Sequence, residues 1–190
     1  MNRKGKKYSI NDINGIAEDG TTFWRVKDKS APHNAVTSTD AILKAAKAKK
    51  YKTTSTKESV LNYVADEFDL SSKYKNEETM TATTVTIPHS TLQTVKYEYN
   101  AETKTYTRYA RGKLQKDYVT GDPVTTKNII ITKCNNYTLT TDTEGKGRQG
   151  LNNIGTFDGY YITNGKAIPI KCTKSARNAQ TIYKDLDGKE

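Results

Sequence analysis

Apolar and polar positions alternate with period two through much of the second half of this 190-residue chain. Leu92, Thr94, Lys96 and Glu98 interleave with Val95, Tyr97 and Tyr99, the spacing of a strand with one face turned inward. Asn100-Ala-Glu-Thr-Lys104 reads as a turn, after which Tyr106, Arg108 and Ala110 return on one face. Arg111-Gly112-Lys113 and Thr120-Gly121-Asp122-Pro123 turn again. Asn128-Ile129-Ile130-Ile131 is the continuous apolar run of a buried strand. Residues 160–163 and 166–170 flank Asn164-Gly165, a strong hairpin signal because a type I′ turn takes positive φ at both central residues. Residues 181–184 read as a strand and Asp187-Gly188 as a turn, so a returning strand is expected to be missing.

The first half is patterned differently. Residues 37–51 have helical spacing, with Ile42, Leu43 and Ala46 as a narrow apolar stripe. Thr37 with Asp40 predicts a capping box, and lysines gather where the helix dipole favours cations. Residues 57–70 are ambiguous: Val60, Leu61, Val64 and Phe68 fit a helical face, while residues 60–64 also read as a strand. Residues 71–81 are polar, lack a pattern and read as a linker. A mixed N-terminal piece joined to a β-rich piece predicts an α+β fold with mostly antiparallel strands.

Charge narrows the partners. Thirty-one Lys and Arg against 21 Asp and Glu give a net charge of +10, which favours anionic partners such as wall polyphosphate, lipid headgroups or nucleic acid. Arg3, Lys4, Lys6 and Lys7 form one basic cluster, and Lys44, Lys47, Lys49, Lys50 and Lys52 a second. Like-charge runs also serve simply as solvated surface. No apolar run reaches the roughly 18 residues of a helical membrane span, and no signal-peptide core follows the basic start.

Few residues point to chemistry. Gly145-Lys-Gly147-Arg-Gln-Gly150 spells a dinucleotide fingerprint, but no helix pattern follows it and lysines stand where an acid is needed, so it reads as a loop. His33, His89, Cys134 and Cys172 lack metal-ligand spacing. The two cysteines end apolar runs, as small buried side chains do, although an exported protein could pair them. No nucleophile motif, cofactor motif or metal motif is present. Arg25, Asp28, Pro32, His33 and Asn34 form the densest polar cluster: a fork-shaped cation, a carboxylate and an imidazole held by a turn. Tyr97, Tyr99, Tyr106 and Tyr109 suggest an aromatic sheet face, either packed across strands or free to stack on bases or sugars.

Phe23-Trp-Arg25, Ala31-Pro-His-Asn34 and Thr37-Ser38 resemble a segment of the YerB-like lipoproteins, a family with a domain of unknown function (number 3048). The resemblance continues through Val85-Thr-Ile-Pro88, residues 95–99, Tyr106-Thr-Arg108, Thr120-Gly121, residues 128–131, residues 159–162 and residues 164–167. The chain departs from the family at Lys29 and at Ala35-Val36, and it lacks a lipobox cysteine. The resemblance implies three parts: residues 1–70 as the remnant of the family's N-terminal domain, 71–81 as a linker, and 82–190 as its β-rich C-terminal domain without the last strand.

It further implies an extracellular, envelope-associated binding or structural module without cofactor, held at the extracellular face of the cell membrane by a lipid anchor in longer members. Its expected partner is an anionic cell-wall polymer or an envelope protein, recognised through Arg25, Asp28, His33 and Asn34. The alternatives are an envelope enzyme using Arg25, Asp28 and His33, and a basic nucleic-acid binder, for which no module signature is present.

Overall fold

The structure is a computed structural model that describes residues 2–3, 6–7, 12–54, 61–75 and 78–190. It divides into a unit of residues 1–59 and a unit of residues 60–190. The α+β, mostly antiparallel architecture is the one expected.

In the first unit β1 (Asn2–Arg3) pairs with β2 (Lys6–Lys7), and β3 (Trp24–Arg25) pairs with β4 (Ala35–Val36). The side chains of the basic start lie outside the described residues. Helix α1 spans Thr39–Ala48, shorter than expected, and its cap is one residue later than the pattern suggested. Ser38 is the N-cap and accepts from the Ala41 N–H at 3.2 Å. Thr37 instead donates its hydroxyl to the Thr22 carbonyl at 2.7 Å, tying the helix entry to the preceding turn. The helix buries Ala45 and Ala46, while Leu43, expected in the apolar stripe, is half exposed. At its end Lys50 adopts φ 57°, and the Tyr51 N–H reaches back to the Ala46 carbonyl. That is a Schellman closure made without glycine.

The second unit begins differently from expectation. Residues 57–60 lie outside the described part, and residues 61–69 form neither helix nor strand. The segment 71–81 is not patternless. Helix α2 (Leu70–Lys73) is capped by Asp69, whose carboxylate accepts from the Ser71 N–H, and β5 covers Met80–Thr81.

Two five-stranded sheets follow. The first contains β6 (Thr84–Ser90), β7 (Gln93–Asn100), β8 (Thr105–Ala110), β9 (Lys113–Leu114) and β10 (Thr125–Thr126), ordered β10-β8-β7-β6 with β9 also on β8. Pro88 is tolerated because β6 is an edge strand and its register shifts there. The second contains β11 (Asn128–Thr132), β14 (Gly155–Thr163), β15 (Lys166–Lys174) and β16 (Ile182–Lys184), with β5 also on β15. Between β11 and β14, β12 (Asn135–Thr138) and β13 (Gln149–Asn152) form a separate hairpin. Its connecting loop carries residues 145–148 of the glycine-rich motif, which ends inside β13 at Gln149 and Gly150, with no helix there to bind a phosphate. Within it Arg148 bridges Asp142 and Glu144 at 2.8 and 2.7 Å.

The second sheet is buried on both faces, which explains its continuous apolar strands. Ile129, Ile162 and Ala167 face one way and pack with Ala82, Val85 and Tyr106. Ile130, Tyr161, Ile168, Ile170 and Cys172 face the other way and pack under Leu70 and Phe68. Cys172 is buried, Cys134 is half-buried, and both are free thiols.

Tyr106 joins the two sheets. It is fully buried; its hydroxyl donates to the Ala82 carbonyl (3.1 Å) and accepts from the Gly165 N–H (2.9 Å). The four tyrosines do not share a face. Tyr97, Tyr99 and Tyr106 turn to the core, and Tyr99 and Tyr106 rings lie 5.1 Å apart. Tyr109 pairs with Lys96 on the opposite face, where the Lys96 ammonium lies 4.7 Å from its ring centre.

Replacing Tyr106 by Phe leaves a buried donor and a buried acceptor without their partner. Urea unfolding should show a loss of about 1–3 kcal/mol, and Tyr97→Phe should show less because that hydroxyl is only half-buried. Burial pushes the Tyr106 phenol up to about 12. Its contribution is therefore complete below the ordinary tyrosine value of 10.0 and is lost as pH rises through about 12. Denaturation monitored by circular dichroism between those values checks it, and Tyr106→Phe should flatten the alkaline fall.

Candidate functional site

The predicted polar cluster lies on the excursion between β3 and β4. These two-residue strands pair Trp24 with Val36 and Arg25 with Ala35. The intervening chain closes on itself: the Val26 N–H donates to the Asn34 carbonyl (2.9 Å) and the Asn34 amide to the Val26 carbonyl (3.2 Å). The His33 N–H donates to the Ser30 carbonyl, closing a tight turn through the cis Ala31–Pro32 bond.

Arg25 is the centre of this loop. Its Nε and Nη2 meet Asp19 at 3.1–3.3 Å, a two-pronged carboxylate pair. Its Nη1 donates to the Asn34 side-chain oxygen (3.2 Å) and the Pro32 carbonyl (3.4 Å). Arg25 and Asn34 are therefore brought together. His33 and Asp28 are exposed, and the imidazole is neither packed into apolar surroundings nor placed at the centre of the network.

Two residues that pattern reading passed over support the cluster. Asp19 supplies the carboxylate for Arg25. Glu18 accepts from Thr22 (3.0 Å) and from Lys49 (2.6 Å), linking the end of α1 to the turn below the loop. The Lys49 ammonium and the Thr22 hydroxyl hold the Glu18 carboxyl below its usual range. The available signal was Glu18-Asp19 beside Gly20, an acidic pair at a turn glycine a few residues before Arg25.

The second unit holds a site that the sequence did not announce. On one side of β15, β5 pairs with Lys166 and Ala167, and β16 pairs with Lys171, Cys172 and Thr173. The stretch 168–170 between them has no strand partner on that side among the described residues. Pro169 stands in the gap; lacking an N–H, it presents no unpaired donor to an adding strand. A cavity of about 390 Å3 opens there, with Met80, Tyr160, Ile168, Pro169 and Leu186 as its apolar surface. Glu78, Asp185 and Asp187 bring carboxylates to it.

Tyr74 donates its hydroxyl to Asp185 at 2.8 Å; burial and that carboxylate push the phenol up to about 12. Burial works against the charge of Asp185. The backbone N–H of Lys189, the Tyr74 hydroxyl and the backbone N–H of Asp187 nevertheless hold its carboxyl below the usual range.

Comparison with known proteins places these features in context. The model for the protein of unknown function (DUF3048) C-terminal domain matches residues 83–190, and that for the N-terminal domain matches residues 2–52. A Bacillus subtilis (strain 168) protein named "Putative lipoprotein YerB" is 30% identical over 170 residues, 84% of this chain and 49% of that protein. The crystal structure of YerB from Bacillus subtilis aligns with a TM-score of 0.67 at 24% identity, covering 90% of this chain and 55% of that one. That likeness shows the fold. The chain spans about half the length of the curated relative it matches.

Because its partners are exposed, losing the Arg25 network should change global stability by no more than about 1 kcal/mol. Its effect should be local. Arg25→Met should speed cleavage by a lysine-specific protease at Lys27 and Lys29, read by mass spectrometry, whereas His33→Ala should leave the cleavage rate unchanged.

Proposed function

This chain belongs to the DUF3048 family, a family of unknown function, and from that premise we propose that it is a non-catalytic, extracellular module that binds anionic cell-wall polymer. The observation that carries this reading is the distribution of charge. Residues 1–59 hold 13 Lys and Arg against 6 Asp and Glu, a net +7, whereas residues 60–190 hold 18 against 15, a net +3. A field concentrated in one small unit raises the local concentration of a polyanion more than the same charge spread evenly.

On α1, Lys44 and Lys47 are exposed, and Lys50 and Lys52 follow it exposed. A helix C-terminus favours such cations, so this spacing comes without conflict with the helix dipole. Arg25 and Asn34 spend their hydrogen bonds on each other and on Asp19, Pro32 and Val26, and so act as the scaffold of a loop on which His33 is exposed. An extracellular site at the membrane face fits a relative whose printed name is that of a lipoprotein.

The test is co-sedimentation with purified Gram-positive cell walls. Walls carrying their phosphate polymer should retain the protein, and walls stripped of it by acid should not. Retention should fall about tenfold between roughly 50 and 200 mM salt, as expected for a few phosphate contacts. Lys44→Gln with Lys47→Gln should weaken retention further at fixed salt. Equal retention by stripped walls, or none at low salt, would overturn the reading.

A further inference from the structure

We propose that the cavity between β5 and β16 is a binding site for a cationic side chain on an alkyl stem, as a lysine or arginine of a partner polypeptide presents it. The proposal does not rest on the wall-polymer reading, since the cavity belongs wholly to residues 60–190.

Three observations carry it. The first is shape. The gap along β15 leaves an opening into the sheet edge whose walls are Ile168, Pro169, Met80 and Leu186, apolar surfaces suited to a hydrocarbon stem. Met80 and Leu186 are 43% and 64% exposed, apolar area that a ligand would cover.

The second is charge. In a protein of net +10, Glu78, Asp185 and Asp187 converge on one cavity. Three carboxylates at one cavity favour a cation there over the polyanion proposed for the other unit.

The third is the arrangement of the polar groups. Both Asp185 oxygens are committed, one to the Tyr74 hydroxyl and the other to the Lys189 N–H. Asp185 therefore fixes the wall, while Glu78 and Asp187 are exposed; one Glu78 oxygen accepts from the Lys75 N–H at 3.1 Å, and its other oxygen and the Asp187 carboxylate are left to meet an incoming ammonium or guanidinium. Lys133 already engages Tyr160, donating to its hydroxyl at 3.2 Å with the ammonium 4.6 Å from the ring centre. The arriving cation is thus left to the carboxylates rather than to that ring.

A single side chain on a rim of this kind binds weakly, so the probe is used near 10 mM, the scale of a bare side-chain contact. The full chain is titrated with three blocked tripeptides, acetyl-Gly-X-Gly-amide with X as lysine, norleucine or glutamate, and the Met80 methyl resonance is followed by NMR. The lysine peptide should shift it in a saturable way. Norleucine, which keeps the stem and loses the charge, should bind at least fivefold more weakly, and glutamate should give no shift.

Glu78→Gln and Asp187→Asn change exposed rim residues and should each weaken the lysine peptide about twofold to fivefold with the spectrum otherwise intact. Equal binding of norleucine and lysine, indifference to both rim variants, or no saturable shift with the lysine peptide would each overturn the proposal. Wall-binding experiments on the other unit would be untouched by any of these outcomes.

Discussion

The second unit depends on one buried hydroxyl. Tyr106 lies on β8 of the first sheet, yet its two hydrogen bonds go to Ala82, beside β5, and to Gly165, in the turn of the β14–β15 hairpin. Apolar packing between sheets is tolerant of sliding, because no contact in it has a preferred direction. A directional bond in a water-free core is not tolerant, since any shift leaves an unpaired donor or acceptor. Tyr106 therefore fixes how the sheets meet. Gly165 is required from both sides of that contact. Its φ of 72° suits glycine, and a side-chain carbon there would stand 2.9 Å from the Tyr99 ring. The same turn positions Asn164, which donates to the Phe68 carbonyl and the Glu67 carboxylate and so draws the chain before α2 onto the second sheet.

What the sequence made legible was local. Asn164-Gly165, Arg111-Gly112 and Asn100–Lys104 turned where expected because each turn is determined by φ preferences within a few residues. The Ile129–Ile131 run read as a buried strand, and the structure gives the reason: its alternate residues serve the two different cores. What remained hidden depends on partners far away in the chain. Met80–Thr81 is too short to show a period and becomes a strand only because Lys166 and Ala167 offer it an edge. Tyr109 shares its sequence neighbourhood with Tyr106, but three residues along a strand place it on the opposite face, so composition alone grouped what geometry separates.

The polar cluster shows the same division at the level of the site. Proximity in sequence brought Arg25 and Asn34 together because Arg25 precedes and Asn34 ends the nine-residue excursion whose flanking strands pair. It also suggested Asp28 as part of the group, whereas the carboxylate seated against the guanidinium is Asp19, contributed from before β3. A guanidinium fork is satisfied by whichever carboxylate the backbone presents in its plane, and a short loop presents few. The consequence for function is that Arg25 and Asn34 are engaged in shaping a loop, while Lys44 and Lys47 on α1 and Lys50 and Lys52 after it are exposed.

The cavity in the second unit was illegible for a different reason: it is made by an absence. Nothing in residues 168–170 marks them as a site, and Pro169 in a strand reads only as an edge signal. The site exists because β5 and β16 stop short of each other along β15, which is a property of two remote segments meeting one strand. Proline keeps that gap from being filled by another strand, since it withholds the donor that pairing would need. The gap therefore admits side chains rather than backbone, and the carboxylates around it decide which side chains those are.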